Sequence, residues 1–195
     1  MSSIFLFSGI VEENHKKMAI FSAEMEELGK KRKKIKNSNE ATLLEQEIIG
    51  LQENLAKSSL IVIVFSAIAI EAYIYDYASR HLGDSFVKDH LDKLDAVSKW
   101  ILIPRLITGR ELSRRQNWFE LLKNLVKARN SIVHHKSSEP PMFPVDMRQY
   151  FKKRQAGSEF LLETARQSTR LLGILADKIS EIDPEETPWV KLYLT

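Results

Sequence analysis

The chain has no cysteine, which excludes disulfide staples and thiolate metal centres and fits a reducing compartment. Glycine and proline are sparse, 7 and 6 in 195 residues, and they fall where regular structure would end. No glycine-rich phosphate loop is present, so no ATP or dinucleotide cofactor is expected. No Gly-x-Ser-x-Gly elbow supports a serine hydrolase. The longest apolar segment, SLIVIVFSAIAIEAYIY at 59–75, carries Glu71 and falls short of the ~20 residues that ~30 Å of hydrocarbon requires. The opening stretch MSSIFLFSGIVEEN has no basic leader, so no signal peptide is expected. A cytoplasmic protein without a membrane partner is the resulting expectation. The formal charge of +3 is too mild to identify a polyanion partner, so the placement of the cations matters more than their sum.

What is present is helical spacing. Val11, Met18, Phe21, Met25, Leu28 and Ile35 form one apolar stripe, and Leu44, Ile48, Leu51 and Leu55 form another after the polar break at 37–39. The steps of three, four and seven residues predict a long N-terminal antiparallel helical hairpin packed in coiled-coil fashion. Asn39 is the expected N-cap of its second helix. That helix is expected to run on through the apolar segment and stop at Gly83. Asp84 or Ser85 is the expected cap of the next piece, with Pro104 limiting a further helix and Gly109 ending it. Ser113 is the expected cap of a helix over 113–135. After the Pro140, Pro141 and Pro144 loop, a last long helix places Leu162, Ala165, Thr169, Leu172, Ala176, Ile179 and Ile182 on one stripe. The expected fold is therefore all-α, a four-helix-type bundle over 58–183 with the hairpin at 1–57 and a tail at 184–195. Trp100 and Trp118 are expected in the core, and of Tyr73, Tyr75 and Tyr77 at least one is expected to reach a polar partner.

One stretch carries chemistry. KARNSIVHHKSS, residues 127–138, ends a helix with an arginine, an asparagine and two adjacent histidines. On a wheel of 100° per residue, Trp118, Leu122, Leu125, Val126 and Val133 lie within about 60° of Arg129, which places Arg129 in the middle of the apolar face. A guanidinium there cannot lose its proton and needs an anionic or carbonyl partner. Glu71, the lone carboxylate of its own apolar segment, is the expected one. A purely structural ion pair with the histidines as a helix C-terminus accounts for the same residues. Arg129 and His134 diverge by about 140° on the wheel. Either the helix loosens near Ser131, or a dimer cleft collects the residues from two sides.

The spacing R-N-x-x-x-H at Arg129, Asn130 and His134 resembles the motif of the HEPN superfamily, which groups bacterial toxin and defence ribonucleases with non-catalytic relatives. The surrounding LDKLDAVSKWILIPRLITG and ELLKNLVKARNSIVHHKS also look like bacterial HEPN-like proteins. The resemblance spans about 59–182 and leaves out the hairpin. It implies a homodimer with both motifs facing one cleft and metal-independent endoribonuclease activity on an RNA substrate. His134 would be the general base, with His135 as the alternative. Arg129 would stabilise the phosphorane and Asn130 would orient the histidine or bind phosphate. Glu71 would orient Arg129 or sequester it. The non-catalytic relatives imply the other reading, a dimerising or partner-binding module. An antitoxin or other protein is a further expected partner, through the hairpin.

Two basic clusters remain. Lys30, Lys31, Arg32, Lys33, Lys34 and Lys36 close the first helix, as a solvated tip or as an RNA-backbone contact. Arg105, Arg110, Arg114 and Arg115, with Lys136, are the expected RNA-binding residues. His15, His81 and His90 are scattered, and adjacent His134 and His135 lack the four-residue step that chelates zinc. Neither a metal nor a cofactor is expected.

Overall fold

A stretch of helix apolar on nearly every side needs neighbours around it, and residues 59–75 form such a stretch. The computed structural model describes residues 3–35, 38–134 and 147–194. They form α1 (Ser3–Arg32), α2 (Ser38–Leu82), α3 (Asp84–Phe86), α4 (Ala96–Thr108), α5 (Asn117–Val133), α6 (Met147–Ile182) and α7 (Thr187–Leu194). A π turn at Val87–Leu91 follows α3, and a 3-10 turn at Pro184–Glu186 precedes α7. The fold is all-helical, and no strand occurs among the described residues.

The hairpin of α1 and α2 is the most extensive helix pairing. Ile4, Val11 and Met18 are buried along α1 at seven-residue steps, facing Leu55 and Val62 of α2, the recurrence of a coiled-coil seam. Farther along, α2 packs against α4, α5, α6 and α7 as well. Ile63, Ile70, Tyr73, Ile74 and Tyr77 are fully enclosed there with Trp100, Trp118, Leu122, Leu125, Leu171 and Leu175. By length and composition α2 could cross a membrane, and just over half of its most apolar stretch is buried inside the molecule.

The expected stops at Gly83 and Gly109 hold. Their φ angles are 88° and 72°, the left-handed region that a side chain resists. Four expected boundaries do not. Asn39 lies inside α2, which begins at Ser38. Asp84 and Ser85 are within α3 behind Gly83; Asp84 instead accepts from the Tyr75 hydroxyl at 3.1 Å. Pro104 sits inside α4 rather than limiting it, and the Thr108 hydroxyl bonds its carbonyl at 2.8 Å. Ser113 does not cap α5, which starts at Asn117 behind Gln116; the Ser113 carbonyl instead accepts from the Trp118 indole N–H at 2.9 Å.

Residues 184–194 pack as part of the bundle, with Val190 and Leu194 buried and α7 seated on α1, α2 and α6. Their anchor is Glu186, 2% exposed. Arg80 grips it with two bonds at 2.9 and 2.6 Å, and the Tyr73 hydroxyl donates to it at 3.0 Å. Tyr77 donates to Asp183 at 2.7 Å. Burial and then the Glu186 carboxylate push the Tyr73 hydroxyl far above its ordinary range, so it stays a donor at every accessible pH.

Glu186→Ala removes the shared acceptor of Arg80 and Tyr73. It should destabilise by about 2 to 3 kcal/mol in urea unfolding, less than the full cost of a broken buried pair because Arg80 still reaches water. Asp95, the N-cap of α4, accepts from the Ser98 hydroxyl and amide at 2.6 and 3.0 Å, which hold its carboxyl below the ordinary range. A depressed folded-state pKa stabilises above the unfolded value near ~3.9 and is lost as pH falls through the folded one. Asp95→Ala should therefore cost about 1 kcal/mol at pH 7 and progressively less under acid, read from denaturation midpoints across pH.

Candidate functional site

The apolar spacing of α5 buries Trp118, Leu121, Leu122, Leu125 and Ala128 against α2, α4 and α6. Arg129 lies at the edge of that face, not in its middle: its side chain is 32% exposed, and Val133, expected beside it, is 54% exposed. The last turn of α5 has less of the bundle above it than a regular wheel assumes. Arg129 Nη2 is 3.7 Å from Glu71 Oε2, and Arg129 Nη1 donates to Asn130 Oδ1 at 2.9 Å. The expected pairing with Glu71 is therefore present. At 3.7 Å it is a charge contact and not a hydrogen bond.

Glu71 is shared with a second cation, one absent from the sequence-based expectations. Lys99, only 3% exposed, comes from α4 and places Nζ 3.9 Å from Glu71 Oε1 and 3.7 Å from Asp92 Oδ1. Glu71 thus stands between two cations from two other helices. A buried ammonium needs such neighbours. The signal was available, since Lys99 is the only charge between Val97 and Pro104, as Glu71 is in its own apolar segment.

His134 is exposed and ends α5 as its C-cap, with φ −104° and ψ 28° and its backbone N–H bonded to Asn130 O at 2.9 Å. The helix is regular through Val133, so no loosening near Ser131 turns His134 toward Arg129. On one chain the two side chains leave α5 on different sides. Asn130 is exposed on the flank of His134. His135 and Lys136 lie outside the described residues.

Arg110, Arg114 and Arg115 are exposed in the connection between α4 and α5. Arg105 is exposed on α4, 3.5 Å from Glu111. This cluster sits at the start of α5, and His134 at its end, about 24 Å away along the axis at 1.5 Å per residue. In the other basic cluster, Lys30 and Lys31 pair with Glu26 and Glu27 one turn back, and Arg32 pairs with Glu45 across the hairpin at 2.6 Å. Among the described residues no three His, Asp or Glu side chains converge as a metal cage. Comparison with family models, curated proteins and solved structures finds no match to this chain.

Removing Glu71 leaves Lys99 with Asp92 alone and Arg129 with Asn130 alone. Glu71→Ala should cost about 2 kcal/mol in urea unfolding. Lys99→Met, which replaces the buried amine by an apolar chain of similar length, should stay within about 1 kcal/mol of the parent. A larger loss for Lys99→Met than for Glu71→Ala would overturn this view of the network.

Proposed function

We propose that this protein is a metal-independent endoribonuclease of the HEPN type that works as a homodimer. The observation that carries the reading is the state of Arg129. Glu71 stands 3.7 Å from one of its terminal nitrogens, Asn130 accepts from the other, and its side chain stays one-third exposed. An arginine serving only as a structural partner would be expected closer to its carboxylate. The exposed imidazole of His134 on the same last turns of α5 supplies a group able to take and return a proton.

In the proposed reaction His134 takes the proton of a ribose 2′-hydroxyl, and the oxygen attacks the adjacent phosphorus. The P–O5′ bond breaks, leaving a 2′,3′-cyclic phosphate on one fragment. The departing 5′-oxygen takes a proton from water, to which the His134 imidazolium returns its own. Arg129 neutralises charge gathering on the non-bridging oxygens, the place where a fixed fork of donors acts most strongly. Because a regular α5 sends Arg129 and His134 to different sides, the proposed site needs two copies, one giving the guanidinium and the other the base. Ile20, Leu43 and Ile49 are exposed on the hairpin, a surface suited to a protein partner such as an inhibitor.

The non-catalytic reading keeps one observation in its favour, the buried Lys99, which shares Glu71 and gives the network a structural reason to exist. One experiment separates the two readings. Wild-type protein in EDTA should cleave labelled RNA to a cyclic-phosphate product and leave DNA, which lacks the attacking hydroxyl, intact. His134→Ala and Arg129→Ala should each lower the rate at least about a hundredfold while remaining folded. An inert wild type, with Arg129→Ala unfolding and His134→Ala silent, would establish the structural module instead. If His135→Ala carries the loss, the base is the neighbouring histidine.

A further inference from the structure

Directly opposite its buried face, α5 presents Lys123, Lys127, Asn130 and His134 at steps of four, three and four residues. On a 100° wheel they fall within about 60° of one another, so they form a single stripe pointing to solvent. All four are exposed. A shallow groove follows this stripe, lined by Glu120, Lys123, Asn124, Val126, Lys127 and Asn130. It leads along α5 from the general-base end toward the connection that bears Arg110, Arg114 and Arg115.

The charges of the groove are unequal. Lys123 is drawn to Glu120, with Nζ 3.1 Å from Oε1, and lies over the Phe119 ring. Among the described residues Lys127 has no carboxylate partner. It stands seven residues from His134, about 10 Å along the axis, much nearer than the arginine cluster.

Resting on the ribonuclease reading, we infer that the outer face of α5 is the substrate track. A single RNA strand lies along this groove with the scissile phosphate at His134 and a neighbouring phosphate at Lys127. The strand continues past Lys123 toward Arg114 and Arg115. The occupant follows from charge: a shallow groove in which Lys127 has no carboxylate partner among the described residues suits a phosphodiester backbone. Glu120 acts as a brake, since it holds Lys123 away from the strand. The track binds backbone, so single-stranded DNA of equal length should compete for it without being cut.

The test uses full-length protein carrying His134→Ala, so that RNA survives, and a short labelled single-stranded RNA titrated by fluorescence anisotropy at several potassium chloride concentrations. Adding Lys127→Ala should weaken binding about three- to tenfold and reduce the slope of log affinity against log salt by about one. Lys127→Glu should weaken it further. Glu120→Gln should tighten binding severalfold, a gain that damage to the fold would not produce. In cleavage assays with His134 intact, Lys127→Ala should raise KM far more than it lowers kcat. Unchanged affinity and salt slope in Lys127→Glu, with RNA still cleaved by the wild type, would overturn the track and leave the ribonuclease standing. A wild type that neither binds nor cuts RNA would remove both.

Discussion

The apolar circumference of α2 organises the molecule. From Leu55 to Ala78 it offers no broad polar face; its buried positions cover one side, and the apolar side chains opposite, such as Ile61, Val64, Phe65 and Ile68, are partly buried. Such a helix is stable in water only when surrounded. α1 covers the first half along a coiled-coil seam, and α4, α5, α6 and α7 cover the second. The motif helix is therefore held by a surface that cannot move away from it without exposing several fully buried side chains. That rigidity is what a site built on α5 requires.

Among the described residues the two buried charges, Lys99 and Glu186, are each met by charges from other elements. Glu71 of α2 is met by Lys99 of α4 and Arg129 of α5; Glu186 near the C-terminus is met by Arg80, Tyr73 and, at 3.8 Å, His81. The two clusters differ in kind. Glu186 is almost wholly buried and tightly bonded, as a docking anchor should be. Glu71 is partly exposed and makes longer contacts, which leaves its partners freer to act on something else. The same physical need, compensation of a desolvated charge, thus gives a rigid clamp at one end of α2 and a looser arrangement beside the motif.

The regularity of α5 has the largest consequence for the proposed function. An ordinary helix cannot direct residues five apart to one substrate, so the motif works in this proposal only across a two-fold assembly. It also means that each copy offers two distinct faces: an inner edge bearing Arg129, positioned by Glu71, and an outer stripe bearing His134 with its lysines. In the proposal, binding and charge stabilisation are separated on one helix and reunited between two copies.

Much of this was legible in the residues alone. Period and breaks determined the helices, because a 3.6-residue repeat and a left-handed glycine are local facts that neighbours do not alter; α1, α2, Gly83 and Gly109 follow from them. The pairing of Glu71 with Arg129 was legible too, since a lone charge on an apolar face has few places to go. Capping was less so: α5 begins at Asn117, four residues past Ser113, and Pro104 stayed inside a helix that ended four residues later. Only the tertiary structure decided that Lys99 shares Glu71, that Arg129 sits at an edge, that residues 184–194 dock through Glu186, and that the lysines of α5 line a groove. The physical reason is that these depend on which helices cross and at what distance, and a one-dimensional pattern records the face a residue occupies but not the charges brought opposite it.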